Sequence, residues 1–221
     1  MLLAVDTATQ MAGIALYDEA QGWVLGEETW RSVENHTVEL MPRMVRLLDQ
    51  QGVAPADLTG LVASLGPGSF TGLRIGLSVL KGLSLALGLP LVGVPTLDVV
   101  VEPHKEQRLP IVALLRAGRG RFAFGHYYRY RGRWRKRGVF RIADLETICQ
   151  EVERPSLFCG EIDAADAGRI REMVSMDAVI AGPAGALRRA AFLAELGWAR
   201  LVRGDSDDPA ALSPIYLKRP G

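Results

Sequence analysis

The stretch from Gly66 to Leu87 constrains this chain more than any other. It opens as Gly66-Pro67-Gly68-Ser69-Phe70-Thr71-Gly72-Leu73-Arg74-Ile75-Gly76-Leu77-Ser78 and follows a short apolar run, Leu61-Val62-Ala63-Ser64-Leu65. That order predicts a buried strand, a tight turn, and a helix ending near Leu87-Gly88. A glycine-rich turn between strand and helix is a common place to hold an anion, because unpaired N–H groups converge there. This turn fails the standard phosphate patterns. No Gly-Lys-Ser/Thr follows at Walker spacing, and Thr71 stands where the third glycine of a dinucleotide fingerprint belongs. A tight turn feeding a closely packed helix is the plainer reading.

The helix is apolar almost all round, through Leu73, Ile75, Leu77, Val79, Leu80, Leu83, Leu85 and Leu87. A helix without a polar face is expected to be covered on every side. Gly72, Gly76, Ser78 and Gly82 leave parts of its surface bare. Each interior glycine costs about 1 kcal/mol relative to alanine, so close backbone approach should offset it. Only Arg74 and Lys81 carry charge, nearly on one side. The expectation is a helix shared between a sheet and a second protein; its charges and glycines argue against a membrane span.

With 221 residues, 48% of them hydrophobic, the chain can bury one sizeable core or two small ones. A net charge of +1 gives no bulk attraction to nucleic acid or membrane. The opening Met1-Leu2-Leu3-Ala4-Val5-Asp6 lacks a basic segment and meets an aspartate too early for a signal peptide, so a cytoplasmic location is expected. Cys149 and Cys159 are then free thiols. Neither they nor His36, His104 and His126 have metal-ligand spacing, so no protein-built metal site is expected.

The first hundred residues read as an α/β unit. Strands are expected at Leu2–Val5, Gly13–Tyr17 and from Gly22 onward, with a helix from His36 to about Gln50 capped by Asn35 and containing Pro42. After the Gly66–Leu87 segment, Pro90–Val94 is another strand. The second half restarts the theme. Ile111–Leu115 is a strand, and Phe122–Tyr130 and Trp134–Ile142 are hairpin arms joined around Arg131-Gly132-Arg133. Asp144 begins a helix, Ser156–Gly160 is a strand, Ala178–Ile180 a further one, Ala184–Leu196 a helix, and Leu212–Lys218 an extended tail. This order divides the chain into a first lobe over 1–103 and a smaller second lobe over 104–221, its tail a candidate to pack back on the first.

The opening Leu-Ala-Val-Asp-Thr-Ala-Thr, the Glu34-Asn35-His36-Thr37 segment, the Gly66–Leu87 helix and the closing Pro214-x-Tyr216-Leu217 together resemble the TsaB family, also called YeaZ, over nearly the whole chain. The resemblance implies an actin-like, Hsp70-type α/β fold of two ribonuclease-H-like lobes. It also implies a part in making threonylcarbamoyladenosine (t6A) at position 37 of tRNAs that read codons beginning with A. The implied part is non-catalytic: a paralogous subunit, TsaD, transfers the threonylcarbamoyl group, an ATPase, TsaE, joins the assembly, and tRNA is met through the complex. A homodimer is implied when the partner is absent. The catalytic relative binds its metal through His-x-x-x-His, and alignment puts those positions at about Thr96 and Val100, which cannot replace imidazoles. Where an Asp-Ala-Arg-Arg-Gly run is common in the family, this chain has Arg116-Ala117-Gly118-Arg119-Gly120.

Three groups of residues follow as candidates. The partner interface is expected on two helix stripes: His36, Leu40, Met41 and Met44, and Phe70, Leu73, Arg74, Gly76, Leu77, Leu80 and Lys81. On this reading Gly76→Leu or Leu77→Glu abolishes association and leaves the lobe folded. The resemblance places Asp6 and Thr7 where actin-like enzymes contact phosphate or magnesium, with Gly160 and the Gly182–Gly185 segment as second-lobe contacts. No cofactor is expected on the isolated chain, and ATP or ADP with Mg²⁺ would need the catalytic partner. Asp6 reads equally as a cap for the turn after it. Finally, no acidic residue lies between Glu106 and Asp144, and Arg129, Arg131, Arg133 and Arg135 alternate with Tyr128, Tyr130 and Trp134. Strand alternation would put guanidinium groups on one face and aromatics on the other, a surface for RNA or a solvated protrusion. Two further readings stay open: a free-standing ATP-dependent phosphotransferase of the actin-like class, and an RNA-binding adaptor.

Overall fold

The computed structural model describes residues 1–32, 36–174 and 177–217, and the chain falls into two units, each built on a five-stranded mixed sheet. The Asn35 cap, Glu34 and Lys218 lie outside the described residues. The first unit comprises Met1–Val99 and Arg189–Ile215. Its strands are β1 (Leu2–Asp6), β2 (Met11–Asp18), β3 (Trp23–Arg31), β4 (Gly60–Ser64) and β5 (Leu91–Val94), in the order β3-β2-β1-β4-β5. β1, β2 and β3 pair antiparallel, whereas β1, β4 and β5 are parallel. Central strands read as continuous apolar runs because both their faces are covered. Leu3, Val5, Ile14, Leu16 and Leu61 pack with α1 (His36–Gln50) and α2 (Phe70–Leu87). Their neighbours of opposite parity, Leu2, Ala4, Ala15 and Val62, pack with the last helix, Ala190–Leu201.

That last helix corrects the expected boundary. The sequence reading starts the second lobe at 104 and sends back only its tail, yet the first sheet needs a cover for its second face, and Ala190, Leu193 and Ala194 supply it. The segment beyond stays with the first unit: the Asp207 N–H donates to the Leu91 carbonyl at 2.9 Å and the Ile215 N–H to the Leu65 carbonyl at 2.7 Å. The helix expected over 184–196 is really two, Pro183–Ala186 and Ala190–Leu201, separated at Leu187–Arg189.

The short helix α3 (Thr96–Val101) follows β5. The second unit, Val100–Arg188 with Tyr216–Gly221, contains β6 (Ile111–Arg116), β7 (Arg121–Tyr130), β8 (Arg133–Asp144), α4 (Leu145–Gln150), β9 (Leu157–Gly160), α5 (Ala164–Met173), β10 (Val179–Ile180) and α6 (Pro183–Ala186), leaving Ala190–Leu201 as α7. Its sheet order is β10-β9-β6-β7-β8. Val112, Leu114, Phe122, Phe124 and Phe158 form one face of this sheet and pack against Leu145 and Ile148 of α4 and Ile170 of α5. Asp144 and Asp163 cap α4 and α5 by accepting from the Thr147 and Asp166 N–H groups, each at 2.8 Å.

The glycines of α2 serve the chain's own fold. A methyl carbon at Gly72 would overlap the Thr7 carbonyl oxygen, and one at Gly76 would overlap the Thr7 hydroxyl. The turn between β1 and β2 thus rests directly on the first turns of α2, held by the Ser69 N–H donating to the Ala8 carbonyl at 2.6 Å and the Thr7 hydroxyl donating to the Gly72 carbonyl at 2.7 Å. Ser69 caps the helix, accepting from the Gly72 N–H, and Gly88 ends it in the left-handed conformation. Leu73, Leu77 and Leu80 project into the core, each at most 4% exposed. Leu77→Ala is therefore expected to cost about 2–5 kcal/mol in urea unfolding. Leu77→Glu and Gly76→Leu are expected to remove the cooperative transition, contrary to the folded variants anticipated from the sequence; native-like melts for both would refute this placement of α2.

Candidate functional site

Much of the expected partner interface turns inward. His36, Leu40 and Met44 on α1, and Leu73, Gly76, Leu77 and Leu80 on α2, are buried within the first unit. The physical reason is that an all-apolar helix gives no sign of which stripe meets its own sheet. His36 is spent locally, its Nε2 lying 3.2 Å from the Thr9 carbonyl oxygen. Of the named residues, Met41, Phe70 and Arg74 are exposed and Lys81 is half-buried. The Arg74 guanidinium stacks over the Phe70 ring, 3.8 Å from its centre. Sequence reasoning missed Val38, Val45 and Leu85, which are 69%, 50% and 88% exposed. For Val38 and Val45 the signal was the spacing Val38-Met41-Val45, a second apolar stripe alongside Leu40-Met44-Leu47. Both α1 and α2 cover the same face of the sheet.

The residues proposed for nucleotide all have structural partners. Asp6 and Thr7 are 2% and 1% exposed. The Asp6 Oδ1 accepts from the Ala8 N–H at 2.9 Å and from the Ser64 hydroxyl at 2.8 Å, which is the turn-capping role. Gly160 has φ of 104°, and a side chain there would run into the Leu114 carbonyl oxygen. His104 Nε2 lies 3.2 Å from the Gly185 carbonyl oxygen, and burial holds its pKa below the ordinary value. At the positions aligned with the relative's metal ligands, the Thr96 hydroxyl accepts from the Gly66 N–H at 2.9 Å and Val100 is buried. Among the described residues, no three His, Cys, Asp or Glu side chains come together as a metal site. Cys149 and Cys159 are free and buried; burial pushes the Cys149 thiol up to about 11 and that of Cys159 higher still.

The arginine hairpin differs from the expected alternation. β7 and β8 join through a two-residue turn at Arg131 and Gly132, with φ of 49° and 77°, the primed turn that suits strand twist. A two-residue turn pairs Arg129 with Trp134, Tyr130 with Arg133, and Tyr128 with Arg135. Residues directly opposite share a face, so Arg133 and Arg135 lie with the tyrosines while Arg129 lies with Trp134 on the other side. Arg131, in the turn, reaches over the Tyr130 ring, its guanidinium 5.3 Å from the ring centre. The separation of cations from aromatics expected at Arg129, Arg131, Arg133 and Arg135 is thereby corrected. Acids from later in the chain also fold onto the basic run. Arg116 bonds Asp163 at 2.6 Å and Asp166, and Arg141 bonds Glu151. Arg116, standing where the family has its common aspartate, thus ties the end of β6 to the start of α5.

His126 on β7 faces Glu151 at 3.3 Å and meets the Phe124 ring edge-on at 5.5 Å. Burial lowers its pKa; Glu151 opposes that shift, while Arg141 and Arg137 add to it. With its folded pKa below the ordinary value of 6.5, the unfolded chain takes up the proton first as pH falls. His104 acts in the same direction. Unfolding free energy is therefore expected to drop as pH falls below about 7.5, and His126→Gln to flatten that dependence. An identical pH slope in the variant would show that His126 carries none of it.

Residues 24–140 match the family model described as TsaD: tRNA N6-adenosine threonylcarbamoyltransferase. The chain is 30% identical to the tRNA threonylcarbamoyladenosine biosynthesis protein TsaB of Bacillus subtilis (strain 168), covering 98% of this chain and 93% of that relative. Among solved structures, YeaZ from Pseudomonas aeruginosa superposes with a TM-score of 0.80 at 26% identity, covering 98% of this chain and 99% of that one. The activator of 2-hydroxyisocaproyl-CoA dehydratase from Clostridium difficile, with bound ADPNP, superposes at 0.50 and 10% identity over 94% of this chain and 98% of its own. The last likeness is one of fold alone.

Proposed function

Since the chain belongs to the TsaB (YeaZ) family of tRNA threonylcarbamoyladenosine biosynthesis proteins, we propose that within this pathway it is a non-catalytic subunit that holds a TsaD-type transferase. The observation that carries this reading is the outer surface of α1 and α2. Val38, Met41, Val45, Phe70 and Leu85 stand exposed on the two helices that cover one face of the sheet, and exposed large apolar side chains are what a protein partner would cover. Its non-catalytic character is supported by Thr96 and Val100, which offer no imidazole where the catalytic relative has its metal ligands.

The remaining parts of the reading follow from the pathway. The ATPase TsaE joins the pair, tRNA is met through the complex, and the cytoplasm is the compartment. In the absence of the transferase the same apolar surface pairs two copies of this chain. ATP or ADP with Mg²⁺ belongs to the assembly, where the partner contributes residues. Support for that comes from the β1–β2 turn, whose Asp6 and Thr7 are already committed to Ala8, Ser64 and Gly72.

Size-exclusion chromatography with light scattering tests the proposal. The chain and its own organism's transferase paralogue are expected to co-elute one to one. Met41→Glu/Val45→Glu is expected to abolish the complex with unchanged circular dichroism, since both positions are exposed. A chain that stays monomeric beside the paralogue and hydrolyses ATP alone would replace this reading by the phosphotransferase one.

A further inference from the structure

The β7–β8 hairpin carries aromatic and cationic side chains together on one face. Tyr128 pairs with Arg135, Tyr130 with Arg133, and, nearer the core, His126 with Arg137. The same face begins as hydrophobic core, where Phe122 and Phe124 lie buried against α4. Beyond the end of α4 it opens: Tyr128 and Tyr130 are 37% and 52% exposed, and Arg133, Arg135 and Arg137 are exposed beside them. A groove of about 420 Å³ enters at its inner end, lined by Tyr128, Arg137 and Arg154 along with His126, Glu151 and Glu153. The groove's acids already face cations, Glu151 bonding Arg141 and Glu153 lying 4.0 Å from Arg137.

β8 is the edge strand of its sheet, and charged side chains on an edge ordinarily serve to block further strand pairing. That purpose accounts for the arginines of β8, but the two exposed tyrosines stand on β7, the next strand in, where edge protection does not explain them. Planar rings alternating with guanidinium groups are what an unpaired nucleic-acid strand requires, because bases stack on the rings and phosphates pair with the cations. A base-paired helix hides its base faces and could use only the arginines.

We propose that this face is a strip for single-stranded RNA. Bases stack on Tyr128 and Tyr130, and the backbone runs along Arg133 and Arg135 toward Arg137 and Arg154 at the groove. The choice of RNA among polyanions rests on the chain's proposed place in tRNA modification. Arg129, on the opposite face with Trp134, is outside the strip. Trp134 is itself engaged, its indole N–H donating to the Lys105 carbonyl at 2.9 Å.

Fluorescence anisotropy with the full chain tests the strip, using a labelled RNA stem–loop with an unpaired loop and a blunt RNA duplex of equal charge. The stem–loop is expected to bind more tightly. Tyr128→Ala/Tyr130→Ala should weaken it about tenfold or more. Arg133→Glu/Arg135→Glu should weaken it further and flatten its salt dependence, whereas Arg129→Glu should stay within about twofold. Circular dichroism confirms that each variant is folded. Equal binding of stem–loop and duplex, an unaffected tyrosine variant, or an Arg129→Glu loss as large as the double arginine loss overturns the proposal. So does a chain that binds no RNA, or whose hairpin variants lose the transferase paralogue while RNA binding is unchanged, which makes the face a protein-docking one. Co-elution of the parent chain with the paralogue is scored separately, so the strip can fail while the functional reading stands, and the reverse.

Discussion

The carbonyl oxygen of Thr7 lies where the first side-chain carbon of any residue but glycine would stand at position 72, and the Thr7 hydroxyl occupies the corresponding place beside Gly76. The β1–β2 turn can rest on α2 only because both sites are bare. Two hydrogen bonds, Thr7 to Gly72 and Ser69 to Ala8, hold it there. This seating sets the rotation of α2 about its own axis. Once Gly72 and Gly76 face the turn, Leu73, Leu77 and Leu80 must enter the core and Phe70, Arg74 and Leu85 must face out. The helix tolerates interior glycines, about 1 kcal/mol each, because a leucine-rich stripe and a buried turn are gained in the same few residues.

The seating also bears on what the first unit can offer other molecules. A turn that lends its hydroxyl to a helix carbonyl and its carboxylate to Ser64 and Ala8 has its polar groups occupied. Two outer surfaces carry exposed groups of different kinds. In the first unit these are the apolar flanks of α1 and α2; in the second they are the tyrosines and arginines of the hairpin. The two surfaces differ in chemistry, one suited to a protein face and the other to an anionic strand.

Legibility in the sequence varied with the range of the interaction behind each feature. Strands β1, β4, β6 and β9 were visible as apolar runs, and the hairpin was visible from its turn residues, because those patterns are local. Helices α3 and α5 were missed. α3 has only six residues, three of them consecutive valines, and β-branched residues favour strands when read alone. α5 is polar and weakly amphipathic, and its one strong signal was the Asp163 cap three residues before Asp166. The site fared less well than the fold. Met41, Phe70 and Arg74 are exposed, but Leu40, Leu73, Leu77 and Leu80 belong to the core, and Val38, Val45 and Leu85 were not singled out.

By itself the sequence determined the α/β class, the strand–turn–helix at Gly66–Leu87, the turn residues of the hairpin and the family, since each is written in the spacing of neighbouring residues. Only the tertiary structure decided the rest. It chose which stripe of α2 meets the sheet, because apolar residues on every side carry no directional information until a neighbour is placed. It returned α7 to the first unit, because a sheet with two apolar faces recruits whatever apolar helix can reach the second. It also put Arg133 and Arg135 beside Tyr128 and Tyr130, because the face a residue occupies after a hairpin depends on whether its turn holds two residues or three, a parity that the pairing of the strands sets.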